Sequence, residues 1–138
     1  MLDQYLLGFW GLLFILFTLL LQTMVATVAH RKQSQYIPGI VNETLGHDSF
    51  VFRSHRTFQN SLENAPLMFS MAILAILVGL NPVWLAATVW TFAIARFIHM
   101  VLYYVIATER NPSPRSFFYA IALLSNLVLL GMVAVHLA

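Results

Sequence analysis

The chain has 138 residues, of which 60% are hydrophobic, 14% aromatic and 9% charged, with a formal net charge of +2 and no cysteine. Soluble domains carry about 25% charged residues, so an ordinary soluble domain is excluded and a single all-α integral membrane domain over 1–138 is expected. The missing cysteine excludes disulfides, thiolate metal sites and a thiol nucleophile from the protein itself.

The first span is expected over 4–30. It is uncharged after Asp3 and closes at His30, Arg31 and Lys32. Its apolar run is long and has no basic residues before it, which favours a retained span over a cleaved leader. A polar connection follows, interrupted by Pro38, Gly39 and Gly46, and connections of that length are often functional.

The second span, 52–79, poses the central problem. Its apolar part, 67–80, has only 14 residues, and a bilayer needs roughly 20. The helix must therefore carry part of the stretch Arg53-Ser54-His55-Arg56-Thr57-Phe58-Gln59-Asn60-Ser61-Leu62-Glu63-Asn64-Ala65-Pro66 into the membrane. Arg53, Arg56, Asn60 and Glu63 are spaced 3, 4 and 3 apart and share one helical face. Ionisable groups at such depth are costly and point to function. Pro66 predicts a kink or a local break.

Asn81 and Pro82 form a cap-and-proline start for the third span, 83–108. Ser113 and Pro114 repeat that signal before the fourth, 114–137. All seven Lys and Arg lie on or lean toward the end that holds the long connection. The positive-inside rule then places that connection in the cytoplasm and both termini opposite. The basic balance therefore reports topology and not nucleic-acid binding.

Rise per residue sets depth. Glu63 is about 24 Å from Gly79, and Arg96 about 20 Å from Val83, so the two are expected to meet near mid-membrane, where neither charge is stable alone. His99 and Tyr103 continue the Arg96 stripe. Arg115, Ser116 and Tyr119 open the fourth span, where an arginine opposes the helix dipole unless an anion binds. Three converging polar stripes predict a ligand pocket. A non-catalytic lipid- or peptide-binding bundle, a haem protein using His55 or His99, and a proton-coupled transporter using Glu63 are the rivals.

The residues Arg53 to Pro66 resemble the Arg-x-x-Arg-Ala-x-x-Asn-x-x-Glu signature of the MAPEG family (membrane-associated proteins in eicosanoid and glutathione metabolism). Arg96, His99 and Tyr103 resemble its third-helix motif, and Pro114, Arg115, Ser116 and Tyr119 the start of its fourth helix. The resemblance implies a homotrimer with glutathione, as co-substrate, bound between subunits. It suggests that Arg56, Asn60, Glu63, His99, Tyr103, Arg115, Ser116 and Tyr119 face the tripeptide, with one basic residue from the end of span one, Arg31 being the candidate and His30 and Lys32 the alternatives beside it. Arg53 and Arg96 belong to the same polar stripes and join the binding set. Arg115, Tyr119 and Ser116 are the expected catalytic group, and the second substrate an apolar electrophile or lipid hydroperoxide met in the membrane. Gln59 stands where prostaglandin E synthase has an arginine, which argues against that isomerase chemistry. The spacing from Glu63 to Pro66 is more similar to the bacterial branch, whose members lie in the inner membrane.

Overall fold

The computed structural model describes residues 2–138. A short 3-10 turn, Leu2–Tyr5, leads into α1, Leu6–Arg31; α2 is Phe50–Leu77, α3 Pro82–Val105 and α4 Pro114–Leu137. Among the described residues there is no β-strand, and all four helices are long and apolar enough to cross a membrane. The protein is a multi-pass, all-helical membrane protein.

Local chemistry explains the helix ends. Asn81 caps α3 through Oδ1, which accepts the Val83 N–H at 2.9 Å, with Pro82 following it. Gly79, at φ 77°, ends α2. The Leu80 N–H reaches the Ala75 carbonyl at 2.9 Å and the Gly79 N–H that of Ile76 at 3.2 Å, a Schellman closure that needs the left-handed residue. Ser113 and Ser116 form a capping box at α4. The α2 helix runs on through Pro66, so the backbone bonding is interrupted there without ending the helix. The loss is confined to the N–H that proline cannot offer the Leu62 carbonyl.

The core is centred on α3, which packs on α1, α2 and α4. Phe92, Val89 and Leu85 are buried against Met68 and Leu129, while Ala65, Ala72, Ala75, Ala93 and Ala122 let the backbones approach. Helices α1 and α3 approach closely at Gly11 of α1, where a Cβ would lie 2.7 Å from Val89 Cγ1. By contrast Leu13, Leu16, Phe17, Leu20 and Met24 of α1 are each more than half exposed and face lipid or another chain.

The α3 helix ends at Val105, three residues before the expected 108. Two guanidiniums meet the carbonyls around this end. Arg53 donates to Tyr104 O at 3.4 Å, and Arg115 to Ile106 O at 3.4 Å and Thr108 O at 2.7 Å. The last carbonyls of a helix lack internal partners and carry the negative end of its dipole. Two arginines here satisfy them, and Ile106 leaves the helix in an extended conformation.

Candidate functional site

The face expected to run from Arg53 to Glu63 divides in two. Arg53 is buried and turned to the loop, giving Nη1–H to His47 O at 2.6 Å and Asp48 O at 2.9 Å. Arg56 and Glu63 are paired outward, Nη1 to Oε1 at 3.3 Å, with side chains 41% and 56% exposed. Asn60 lies between them in sequence, and its Oδ1 is buried without a hydrogen-bond partner in the described residues.

Glu63 does not meet Arg96. Arg96 is 3% exposed, and its guanidinium donates through Nη2 to Ser61 Oγ at 2.9 Å. Its Nε and Nη1 are buried without a partner, as are both amide atoms of Gln22, and both residues line a cavity of ≈ 10 Å³ with Thr18 and Phe92. The depth estimate was sound, but the azimuth differs: Ser61 is on the inner side of α2 and Glu63 on the outer.

From α3 and α4 the structure brings four expected residues together. His99 is buried with its ring 5.5 Å from Tyr103 and 6.4 Å from Tyr119. The Arg115 Cζ lies 4.1 Å from the centre of the Tyr103 ring, a cation–π contact. Tyr119 is 37% exposed, at the edge of this group. Like Asn60 Oδ1, the His99 Nδ1 is buried with no partner among the described residues. Ser116 is engaged locally, its Oγ accepting the Ser113 N–H at 3.1 Å. Arg115 needs no bound anion to stand in the first turn of α4, because the carbonyls after α3 already oppose its charge.

Arg31 is not part of this group. It opens on a separate cavity of ≈ 330 Å³ between α1, α2 and the connection, with His30, Tyr36, His55 and Phe58 among its lining.

Two residues not singled out from the sequence complete the cluster. His47 sits in the long connection and Glu109 after α3. His47 Nδ1 is 2.8 Å from Glu109 Oε1, and His47 Nε2 is 2.9 Å from the Tyr103 hydroxyl. The His47 ring and backbone N–H bonds hold the Glu109 carboxyl below its usual range. These partners are 56 and 62 residues apart in the chain, so no local pattern marks them.

A sequence model of the MAPEG family matches residues 7–135. The chain belongs to the MAPEG family. This family includes glutathione-dependent enzymes. Neither curated proteins nor solved structures give a significant match. In this MAPEG chain the matched region takes in all four helices, from the second residue of α1 almost to the end of α4.

Proposed function

We propose that the protein is a membrane-bound glutathione-dependent transferase or peroxidase. It would activate the glutathione thiol for attack on an apolar electrophile or a lipid hydroperoxide. The observation that carries this reading is that the buried, unpartnered polar atoms of the described residues include Asn60 Oδ1 and His99 Nδ1, on helices that, with α4, also bear Arg56, Glu63, Tyr103, Arg115 and Tyr119. Buried polar atoms are normally hydrogen-bonded, and a peptide offers both N–H and C=O groups to them.

The charges suit the ligand. The γ-glutamyl end of glutathione carries an ammonium and a carboxylate on one carbon. An outward Arg56–Glu63 pair complements both, the guanidinium taking the carboxylate and Glu63 the ammonium. Only a thiolate attacks, and a free thiol is mostly protonated at neutral pH. Arg115 supplies a nearby positive charge, Tyr119 a hydroxyl donor at the edge of the group, and Ser116 the next donor on the same turn. Arg96 and Arg53 support the site from behind, through Ser61 and through the loop.

The site is read as shared between copies in a homotrimer. Arg56 and Glu63 face outward while Arg31 opens elsewhere, so a neighbour's Arg31 would complete the pocket. Calorimetry in detergent, followed by assays with a chloronitrobenzene and a lipid hydroperoxide, tests the reading. Binding with turnover of either substrate is expected. Absence of heat and of any thermal shift at millimolar glutathione overturns it.

A further inference from the structure

Glu109, His47 and Tyr103 make one hydrogen-bonded line, and its protons can be assigned from the acceptors. The Glu109 carboxylate only accepts, and its Oε1 takes the His47 backbone N–H at 3.2 Å and faces Nδ1 at 2.8 Å. In a neutral imidazole the single ring proton therefore sits on Nδ1. Nε2 is then bare, and its 2.9 Å contact to Tyr103 requires the phenol to donate. The hydroxyl hydrogen of Tyr103 thus points at His47, and the oxygen lone pairs are left to other donors.

Burial falls along this line. Tyr103 is 8% exposed, the His47 side chain 19% and the Glu109 side chain 76%. It runs from a buried phenol beside Arg115 to open water. The His47 ring is seated edge-on against Phe52 at 4.9 Å, and Arg53 holds its carbonyl. The charged or titratable groups around His47 are Glu109 from the α3–α4 connection, Tyr103 from α3, Arg53 from α2, Asp48 beside it in the chain, and Arg115 of α4 across the Tyr103 ring.

We propose that His47, held by Glu109, is a positioning residue that draws the hydroxyl proton of Tyr103 and so lets Tyr103 take the proton of the glutathione thiol. This rests on the glutathione reading above. In the step the S–H bond breaks as a new Oη–H bond forms on Tyr103. The original Oη–H bond breaks as Nε2–H forms on His47. The products are a thiolate near Arg115 and an imidazolium against the Glu109 carboxylate, from which the proton leaves to water.

Two measurements on the full-length protein in detergent test this. The first needs no glutathione: nitrogen NMR of the histidine rings should show His47 protonated at Nδ1 and bare at Nε2, with the preference weakened in Glu109→Gln. An Nε2–H tautomer in the wild type overturns the proposal. The second is kcat/KM against pH with glutathione and a chloronitrobenzene. The wild-type rate should fall on the acid side as His47 takes its second proton and can no longer accept from Tyr103. His47→Gln keeps an acceptor but takes up no proton, so the acid limb should flatten and kcat drop about 10- to 100-fold with KM little changed. Glu109→Gln, at an exposed position, should alter the limb, because the imidazolium loses its anion. An unmoved limb in both variants, with only a lower melting temperature, makes His47 a loop anchor and overturns the proposal. The expected tautomer together with a wild type that binds no glutathione overturns the glutathione reading, and the thiol step falls with it.

Discussion

Arg115 joins two functions in one side chain. It donates to the Ile106 and Thr108 carbonyls and stacks over Tyr103. As the proposed source of positive charge for the thiolate, Arg115→Ala should raise the pH at which bound glutathione ionises and slow turnover ~10- to 1000-fold. It should also loosen the start of the 106–113 connection, so a lower melting temperature is expected alongside. Arg115→Lys should recover part of the charge effect and less of the carbonyl contacts. Titrating the ultraviolet absorbance of the bound thiolate separates the two, since loss of the carbonyl contacts alone leaves the ionisation unmoved. The same residue scale decides between Glu63 and Ser61 as partners of buried charge. Glu63→Gln removes an exposed ion pair and should cost under about 1 kcal/mol. Ser61→Ala removes the acceptor of a buried guanidinium and should cost about 1.5–3 kcal/mol. Denaturation in detergent that ranks them the other way would restore the Glu63–Arg96 pair. Glu109 makes a further, pH-dependent contribution. Its carboxyl is depressed in the folded state, first by the His47 ring hydrogen bond. A depressed acid stabilises above its unfolded pKa, and that stability is lost as pH falls through the folded value. The melting temperature should therefore drop less on acidification in Glu109→Gln than in the wild type.

At the scale of elements, the end of α3 is where α2, α4 and the long connection are tied together. Arg53 reaches it from α2, Arg115 from α4 and His47 from the connection. The opposite end is held by backbone acceptors, with Tyr5 Oη donating to Leu80 O at 2.9 Å and His136 Nε2 at 2.9 Å from Val78 O. Between them the α1–α3 crossing depends on Gly11. Gly11→Ala should force the Val89 side chain to move, costing about 1–3 kcal/mol. Adding Val89→Ala should return part of that loss, because the clash is with Val89 Cγ1 itself. Equal melting temperatures for the single and double variants would place the strain elsewhere.

For the whole molecule, the broad exposed apolar faces and the outward Arg56–Glu63 pair both call for surroundings that one chain does not supply. We predict a detergent-solubilised assembly of three 15.6 kDa chains. If a site takes Arg31 from one chain and Arg115 from another, mixing inactive Arg31→Ala and Arg115→Ala chains should regenerate sites with both arginines. Partial recovery of activity in co-expressed material is expected. No recovery would mean that both act within one chain.

How much of this the sequence determined depends on the range of the interactions. The four membrane helices, their caps at Asn81 and Ser113 and the family were legible, because length, hydropathy, caps and motif spacing are properties of contiguous residues. So was the convergence of the stripes that hold His99, Tyr103, Arg115 and Tyr119 toward one end of the bundle, since residues 3 and 4 apart share a helical face. Depth, however, says nothing of azimuth. Tertiary packing turned Ser61 and not Glu63 toward Arg96, and turned Arg53 inward to the loop while Arg56 faced out. It also brought His47 and Glu109 to Tyr103 from loops that have no periodicity. A buried donor must find an acceptor wherever the fold supplies one, and that choice is made by contacts between residues far apart in the chain.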